Sequence, residues 1–347
     1  MNILIVKVSA LGDVVHALPV LAWLKSAQSD VQIDWLVEES FAPFLDAHPM
    51  VRHLHRINTK AWRRDGVLTS LKGFKQTVAR LRREQYDLVL DLQGNAKSGF
   101  FTLFCGASKR YGFDKDSVRE TPNLLATNRK VALDDQAFHI TDRSLAIAKA
   151  ALPHGTEARL AGPLPLDEAA QQSVRSILQE KDLSSGPLVV LHYGTTWETK
   201  LWSLKSWQTL ASRLVEQGVR PILTWGNQAE ADAVKAIDQS TGQRCCIWPR
   251  GSLKELTALL AEVDLVVGGD TGPIHIAAAV NTPTVSIFRA TDAARNAPRG
   301  EMHRSIQSRL DCSPCLKKQC DRDAECCASI TVEELLPLVD QALQTVE

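Results

Sequence analysis

Short apolar segments alternate with helix-like segments along nearly the whole chain. The short segments, such as Gln32–Val37 and Leu188–His192, are mostly apolar, as strands buried on both faces of a sheet are. The segments between them have the spacing of amphipathic helices. This alternation predicts strand–helix–strand units and an α/β fold built on parallel sheets. The predicted strands are Ile3–Val8, Gln32–Val37, His53–Ile57, Leu88–Asp91, Leu188–His192, Pro221–Thr224, Cys246–Ile247, Asp264–Val267 and Thr284–Phe288.

Helices are predicted from the same periodicity and from N-terminal capping signals. The pairs Ser252/Glu255 and Thr331/Glu334 have the spacing of capping boxes and predict two helix starts. The stretch Gly106–Gln136 is predicted to be rich in loops. The other predicted helices are Val14–Ser26, Leu68–Glu84, Ala96–Phe104, Ile140–Leu152, Asp167–Gln179, Ser206–Gln217, Gln228–Gln239 and Ile274–Val280.

The length of 347 residues favours two domains over one. Each half of the chain has its own strand–helix–strand units, which predicts two Rossmann-like domains facing a cleft. We expect the first domain at residues 1–160 and the second at residues 161–330, with the segment Ala158–Pro165 as linker. The terminal helix, within residues 331–347, is expected to pack back on the first domain.

The charge balance and the apolar pattern exclude several classes of protein. Lysine plus arginine number 40, and aspartate plus glutamate also number 40, which argues against a nucleic-acid-binding surface over the whole protein. No apolar run approaches the roughly 20 residues of a membrane-spanning helix. The N-terminus is expected to be a first strand because it lacks the features of a signal peptide. We therefore expect a cytoplasmic protein.

A glycine-rich turn at residues 268–272 connects a predicted strand to a predicted helix. Glycines permit a tight turn and close approach of a ligand, and the N-terminus of the following helix favours phosphate. Thr271 adds a hydroxyl, and Asp270 is placed either to cap the helix or to orient a ligand hydroxyl. A glycine-rich connection without a ligand is the alternative interpretation.

A second candidate lies directly after the first predicted strand. Asp13 follows that strand, where ligands of α/β sheets bind beyond the carboxyl ends of the strands. A carboxylate in this place could deprotonate a hydroxyl nucleophile. The alternative is that Asp13 only caps the following helix.

Three segments taken together resemble the lipopolysaccharide heptosyltransferases, which are glycosyltransferases of family 9 with the GT-B fold. They are residues 9–19 (SALGDVVHALP), residues 86–94 (YDLVLDLQG) and residues 269–279 (GDTGPIHIAAA). Each segment alone is weak, but their order and spacing match over essentially the whole chain. The resemblance implies two Rossmann-like domains, the first binding the acceptor and the second binding a nucleotide-sugar donor.

Within this family the chain is most similar to the type I enzymes. The similarity rests on residues 62–64, residues 93–98, Arg119-Glu120, and His139 followed by Asp142-Arg143. It implies transfer of L-glycero-D-manno-heptose from ADP-heptose to a Kdo residue of Kdo-lipid A. Because that acceptor is anionic, arginine and lysine side chains suit it; scattered solvated charge is the alternative. The implied acceptor-binding residues are Arg63, Arg64, Lys97, Arg119 and His139.

The resemblance also implies a donor site and a mechanism. Asp13 acts as the general base of an inverting transfer, and Lys200 neutralises the departing diphosphate, so that no cofactor is required. An ordinary loop lysine at Lys200 and a solvated helix residue at Glu230 are the alternatives. The implied donor-binding residues are Thr195, Thr196, Lys200, Glu230, Asp270, Thr271, Gly272 and His275.

One segment departs from the family pattern. Family members commonly have Gly-Pro-Thr after the strand equivalent to Thr284–Phe288, whereas this chain has Arg289-Ala290-Thr291-Asp292. The donor pose is therefore open at this point. Transfer to the second heptose, a nucleotide-sugar epimerase of the same fold and a non-catalytic nucleotide-sugar-binding protein are the alternative functions. Because the implied acceptor is a membrane lipid, peripheral contact with the cytoplasmic face of the inner membrane is expected.

Five of the eight cysteines are concentrated near the C-terminus. Cys312, Cys315, Cys320 and Cys326, the last followed by Cys327, have thiols that could hold a structural zinc or iron–sulfur site. Their spacing is not that of a zinc ribbon, and structural thiols without metal are the alternative.

Overall fold

The computed structural model describes residues 1–134, 137–156, 164–183 and 186–344. The chain forms two compact units, Met1–Pro165 and Leu166–Glu347. The expected domain boundary at residue 160 and most of the expected linker lie outside the described residues. No helix in the described ranges is long and apolar enough to cross a membrane.

The first unit is built on a six-stranded parallel sheet with the order β3-β2-β1-β4-β5-β6. Its strands are β1 (Asn2–Val6), β2 (Gln32–Glu38), β3 (His53–Ile57), β4 (Leu88–Asp91), β5 (Lys109–Phe113) and β6 (Arg129–Val131). Its helices are α1 (Leu11–Val15), α2 (Pro19–Ala27), α3 (Thr59–Arg64), α4 (Val67–Arg83), α5 (Ala96–Phe104) and α6 (Ile140–Ala151). The central strand β1 is completely buried from Ile3 to Val6, which accounts for its apolar sequence.

The second unit repeats this arrangement with a parallel sheet of the order β12-β11-β10-β7-β8-β9. Its strands are β7 (Leu188–His192), β8 (Arg220–Thr224), β9 (Cys246–Ile247), β10 (Leu265–Gly269), β11 (Thr284–Phe288) and β12 (His303–Gln307). Its helices are α7 (Glu168–Glu180), α8 (Leu204–Glu216), α9 (Gln228–Ser240), α10 (Leu253–Glu262), α11 (Gly272–Ala279), α12 (Ala293–Asn296), α13 (Asp323–Ala328) and α14 (Val332–Gln344).

Both sheets have the strand order of a dinucleotide-binding Rossmann fold, in which the first and fourth strands of a unit are neighbours. The order of the chain reverses at this pair, β1/β4 in the first unit and β7/β10 in the second. The loops that leave the two strands diverge there and open a crevice at the carboxyl edge of the sheet, where ligands bind. The α/β prediction is therefore confirmed in each unit.

The loop prediction for Gly106–Gln136 is wrong, because this stretch contains β5 and β6. Both strands lie toward the edge of the sheet and carry exposed basic residues in place of an apolar run, so the pattern of a buried strand is missing. The single helix predicted at Val14–Ser26 is two helices, and Pro19 begins the second of them. Proline is favoured in the first turn of a helix and disrupts a helix interior.

Helix α14 packs on the second sheet, not on the first domain as the sequence suggested. Its buried face consists of Val332, Leu335, Val339 and Ala342, which belong to the same apolar core as Val267 and Val285 of the second sheet. An amphipathic pattern specifies which face is buried but not which sheet covers it.

The two capping boxes are confirmed. Glu255 accepts a hydrogen bond from the Ser252 N–H at 2.7 Å and its own N–H donates to Ser252 Oγ at 3.2 Å. Thr331 and Glu334 exchange the equivalent bonds at 3.1 and 3.3 Å. These contacts satisfy N–H groups that the first helical turn leaves unpaired.

Candidate active site

The second unit brings its predicted donor residues to the reversal point of the sheet. Strands β7 and β10 are parallel neighbours, with His192 opposite Gly268. The loop that contains Thr195, Thr196 and Lys200 leaves β7, and the turn that contains Asp270 and Thr271 leaves β10. Parallel strands end at the same edge, so residues about 70 positions apart in sequence meet there.

A triad of Lys200, Asp270 and His275 lies at this edge. Lys200 Nζ lies 2.7 Å from Asp270 Oδ2, and His275 Nε2 lies 3.2 Å from Asp270 Oδ1. Burial by itself raises the pKa of Asp270, but the hydrogen bond with His275 and the positive charge of Lys200 hold it well below its usual range. Asp270 is therefore an anion at neutral pH that fixes the ammonium group of Lys200.

Helix α11 begins beside this triad without a side-chain cap. Thr271 occupies the N-cap position, but its hydroxyl donates to the carbonyl oxygen of Gly269 at 3.4 Å instead of accepting from the first turn. The N–H groups of Gly272 and Ile274 have no acceptor within the helix. With the positive end of the helix dipole, these donors suit an anionic ligand.

Side chains on the two glycines that end β10 would crowd their neighbours. A Cβ atom on Gly268 would lie 3.1 Å from Ile274 Cγ1 and 3.3 Å from the carbonyl oxygen of His192. On Gly269 it would lie 3.3 Å from the carbonyl oxygen of Lys200. The glycines therefore let α11 and the loop after β7 approach the strand closely.

Trp197 contacts two lysines beside this edge, and this contact was not predicted from the sequence. Lys200 Nζ lies 5.0 Å from the centre of its ring, and Lys318 Nζ lies 5.2 Å from the same centre. Both distances are within the range of cation–π interactions. The position of this aromatic residue directly after Thr195-Thr196 could have indicated the contact. Thr195 is half-buried and Thr196 is exposed in this loop.

Glu230 spans two of the turns at this edge. Its carboxylate accepts from the Gly226 N–H at 2.6 Å and from Asn227 Nδ2 at 2.7 Å. A Cβ atom on Gly194, in the loop after β7, would clash with this carboxylate. Glu230 is therefore held in place and is not a freely solvated helix residue.

The segment that departs from the family pattern is buried beside the loop after β7, which we call the donor loop because it contains three of the predicted donor residues. Arg289 is 1% exposed and donates to the carbonyl oxygen of Leu201, directly after Lys200. Its Nη2 also lies 2.7 Å from Asp323 Oδ1. The carbonyl oxygen of Ala290 accepts from the N–H groups of Cys315 and Leu316. Arg289 thus connects the donor loop to the cysteine-rich segment.

The structure does not bring the cysteine thiols into the arrangement of a metal site. Among the described residues, the one group of three metal-capable side chains within ligand distance of each other is Asp34, His53 and Glu84. Arg52 already pairs with both carboxylates of that group, at 2.8 and 2.9 Å. The predicted metal ligands Cys312, Cys315, Cys320 and Cys326 are free thiols, of which Cys312 is exposed.

In the first unit, Asp13 lies beyond β1 at the reversal point. It is part of the short helix α1, and its Oδ2 accepts from the Ala10 N–H at 3.3 Å. Asp13 therefore caps its helix from inside the first turn, not from the N-cap position. It is half-buried, and the long single hydrogen bond leaves carboxylate lone pairs available for a hydroxyl proton.

Lys97 belongs to a polar cluster that the sequence did not reveal. Its Nζ lies 2.8 Å from Oε1 of Glu38, the last residue of β2. The same carboxylate accepts hydrogen bonds from the hydroxyl and the N–H of Thr59. The position of the charged residue Glu38 at the end of the predicted strand Gln32–Val37 could have indicated this cluster.

The remaining acceptor candidates follow other strands of the same sheet. Arg63 and Arg64 are exposed on α3 after β3, and Arg119 is exposed in the loop after β5. His139 follows β6, is 3% exposed, and accepts from the Thr141 N–H at 3.2 Å as the N-cap of α6. The carboxyl edge thus carries the basic residues, and His139 contributes to local structure there.

Asp91 holds the turn after β4 in place. It is fully buried, and it accepts from the N–H groups of Gln93 and Gly94, from Thr102 and from Asn123. Burial raises the pKa of Asp91 despite these bonds. The end of the family segment at residues 86–94 is therefore held in a fixed turn after β4.

Comparisons with known proteins identify the family of this chain. The model of glycosyltransferase family 9 (heptosyltransferase) matches residues 75–325. Lipopolysaccharide heptosyltransferase 1 of Pseudomonas aeruginosa is 35% identical over 92% of this chain and 87% of its own length. The enzyme of the same name from Campylobacter coli is 28% identical over 98% of each chain.

A solved structure extends the agreement to the fold. The Escherichia coli heptosyltransferase WaaC with ADP-2-deoxy-2-fluoro heptose superposes with a TM-score of 0.77 at 25% identity, over 98% of this chain and 99% of that one. The resemblance drawn from the three sequence segments is thereby confirmed. This chain belongs to glycosyltransferase family 9, the heptosyltransferases, and is a glycosyltransferase.

Proposed function

We propose that this protein transfers L-glycero-D-manno-heptose from ADP-heptose to a Kdo residue of Kdo-lipid A in the inner core of lipopolysaccharide. The observation that carries the proposal is the Lys200–Asp270–His275 triad beside the uncapped start of α11. This arrangement places the ammonium group of Lys200 beside the free N–H groups at the start of α11, where a nucleotide diphosphate fits. The 35% identity to a heptosyltransferase 1 and the ADP-heptose analogue in the WaaC structure support the donor.

In the proposed donor site, the diphosphate lies at the first turn of α11. The N–H groups of Gly272 and Ile274, the hydroxyls of Thr195, Thr196 and Thr271, and Lys200 interact with its oxygens. Asp270 holds the ammonium group of Lys200 in position, and Glu230 receives the adenosine ribose. Because these groups already stabilise the negative charge of departing ADP, the proposed reaction requires no cofactor.

In the proposed acceptor site, exposed basic residues of the first unit bind the anionic acceptor. Arg63, Arg64 and Arg119 pair with carboxylates and phosphates, since guanidinium groups bind both in a bidentate way. Lys97 shares its charge between Glu38 and the acceptor. His139 is the N-cap of α6 and supports the local structure of the same carboxyl edge.

The proposed reaction is a single inverting displacement. Asp13 accepts the proton of the Kdo hydroxyl, and that oxygen forms a bond to the anomeric carbon of heptose as the bond to ADP breaks. The transition state is oxocarbenium-like, so the charge that develops on the diphosphate is stabilised by Lys200 and α11. Asp13 suits the role because its carboxylate is half-buried and carries one long hydrogen bond.

The direct test offers the purified protein ADP-heptose with Kdo-lipid A and follows the acceptor by mass spectrometry. A gain of one heptose is the expected result. Reaction only with an already heptosylated core would replace the proposal by transfer to the second heptose. Conversion of ADP-heptose without any acceptor would replace it by epimerisation. The acceptor also places the enzyme, in this proposal, at the cytoplasmic face of the inner membrane.

A further inference from the structure

Two neighbouring helices of the first unit expose large apolar side chains. On α4, Leu68 is 83% exposed and Val67 is 75% exposed, and on α5, Phe100 is 59% exposed. Single exposed apolar residues are common in soluble proteins, whereas a contiguous group marks an interaction surface. We call this group the apolar patch; its members are Val67, Leu68, Leu71, Phe100, Leu103 and Phe104.

The contributions of the two helices are continuous. Phe74, one turn after Leu71 on α4, packs with ring centres 6.1 Å from Phe100 and 5.8 Å from Phe104. At the other end of α4, Arg82 Nε donates to the carbonyl oxygen of Phe104 at 2.9 Å. The two helices are therefore fixed side by side, and their exposed apolar residues lie on one surface.

Helix α4, which carries half of this patch, is strongly basic, although the whole chain is neutral. It contains five lysines and arginines and no acidic residue. Lys72 and Lys75 are exposed and lie four and seven positions after Leu68, on the same face of α4. Apolar side chains surrounded by cations form the pattern of a surface that binds an anionic membrane.

We propose that the apolar patch and the basic residues of α4 bind the protein peripherally to a bilayer of anionic phospholipids. The apolar side chains enter the interface, and the cations contact the lipid phosphates. Charge complementarity selects this partner over a second copy of the chain, because self-association would bring two equally basic surfaces together. The inference rests on the proposed function only in that a membrane-embedded acceptor requires such contact.

Vesicle binding tests the surface without reference to catalysis. The full chain is sedimented with vesicles of phosphatidylcholine alone and of phosphatidylcholine mixed with phosphatidylglycerol. We expect binding to the anionic vesicles that weakens as salt is added, and at least about tenfold weaker binding to the neutral ones. Absence of binding to the anionic vesicles would overturn the proposal.

Two variants and two matched controls locate the surface. The apolar variant Leu68→Gln/Phe100→Gln and the charge variant Lys72→Glu/Lys75→Glu should each weaken binding at least about tenfold. Leu316→Gln removes a comparably exposed apolar residue of the second unit, and Lys205→Glu/Lys235→Glu reverses two exposed lysines of the same unit. Both controls should bind as the wild type does, and a loss as large as in the test variants would refute the assignment.

Two further measurements distinguish membrane binding by this surface from unfolding and from self-association. Circular dichroism and the melting temperature must match the wild type, so that lost binding reports the surface and not unfolding. The test variants should transfer heptose to a detergent-solubilised acceptor normally but lose transfer to a vesicle-embedded one. Failure of the wild type on both acceptors would count against the transferase proposal alone. A dimer in sedimentation that only the test variants abolish would assign the patch to self-association.

Discussion

Replacing Asp270 with asparagine removes the charge that holds the donor triad together. Its carboxylate is 7% exposed and lies 2.7 Å from the ammonium group of Lys200, which is 14% exposed. The amide keeps the shape of the side chain but has one acceptor oxygen, so it cannot bind Lys200 and His275 as the carboxylate does. The variant therefore leaves a largely buried cation without its counter-charge.

The stability loss follows from this geometry. Removing one partner of a buried ion pair destabilises a protein by about 3–5 kcal/mol, because the other charge stays desolvated. Lys200 retains some contact with water and with the ring of Trp197, which reduces the penalty. We expect Asp270→Asn to lower the free energy of unfolding by about 2–4 kcal/mol at neutral pH.

The loss should depend on pH in a defined direction. The pKa of Asp270 is held well below its usual range in the folded protein, whereas an aspartate in the unfolded chain has a pKa of about 4. The carboxylate therefore stabilises the fold fully above about pH 4, and this contribution is lost as the pH falls toward the folded pKa. The difference between wild type and Asp270→Asn should shrink as the pH is lowered below about 4.

Urea unfolding of both proteins, monitored by fluorescence at neutral pH and near about pH 3, measures this difference. Asp167→Asn is a matched control, because Asp167 pairs with Lys254 at 2.9 Å on the surface and asparagine also caps helix α7 well. The control should lose much less stability than Asp270→Asn. Equal losses in the two variants, or a difference for Asp270→Asn that does not shrink in acid, would refute the reasoning.

Three further variants test the site. Asp13→Asn should bind ADP normally by calorimetry but lose turnover by roughly 10²–10⁴-fold, and near-normal turnover would remove Asp13 from the mechanism. Arg63→Ala/Arg64→Ala should raise the KM for the acceptor about tenfold with little change in kcat, since it removes binding and not chemistry; an unchanged KM would contradict their role. Gly268→Ala should lower the free energy of unfolding by about 1–3 kcal/mol in a thermal melt, because its Cβ would lie 3.1 Å from Ile274 Cγ1. An unchanged Tm would show that Ile274 and α11 shift to accommodate the methyl group.

The sequence determined the strands at the centre of each sheet and the starts of the capped helices. Strands β1, β4, β7 and β10 are buried on both faces of their sheets, so each consists largely of consecutive apolar residues. The capping boxes depend on residues three positions apart and are local for the same reason. The glycine turn after β10 also indicated an anion site from local features alone, whereas the donor and acceptor halves were implied only by the resemblance of the three segments to the family.

The tertiary structure alone decided which of these elements meet. Strands β5 and β6 were missed because their exposed basic residues interrupt the apolar pattern of a buried strand. Helix α14 was assigned to the wrong domain because an amphipathic pattern does not specify which sheet the helix packs on. The pairing of Lys200 with Asp270 and of Lys97 with Glu38 depends on strand order, which local sequence does not encode. The glycine turn could be read from sequence because backbone geometry demands it, whereas the charges around it come together only through the parallel sheet.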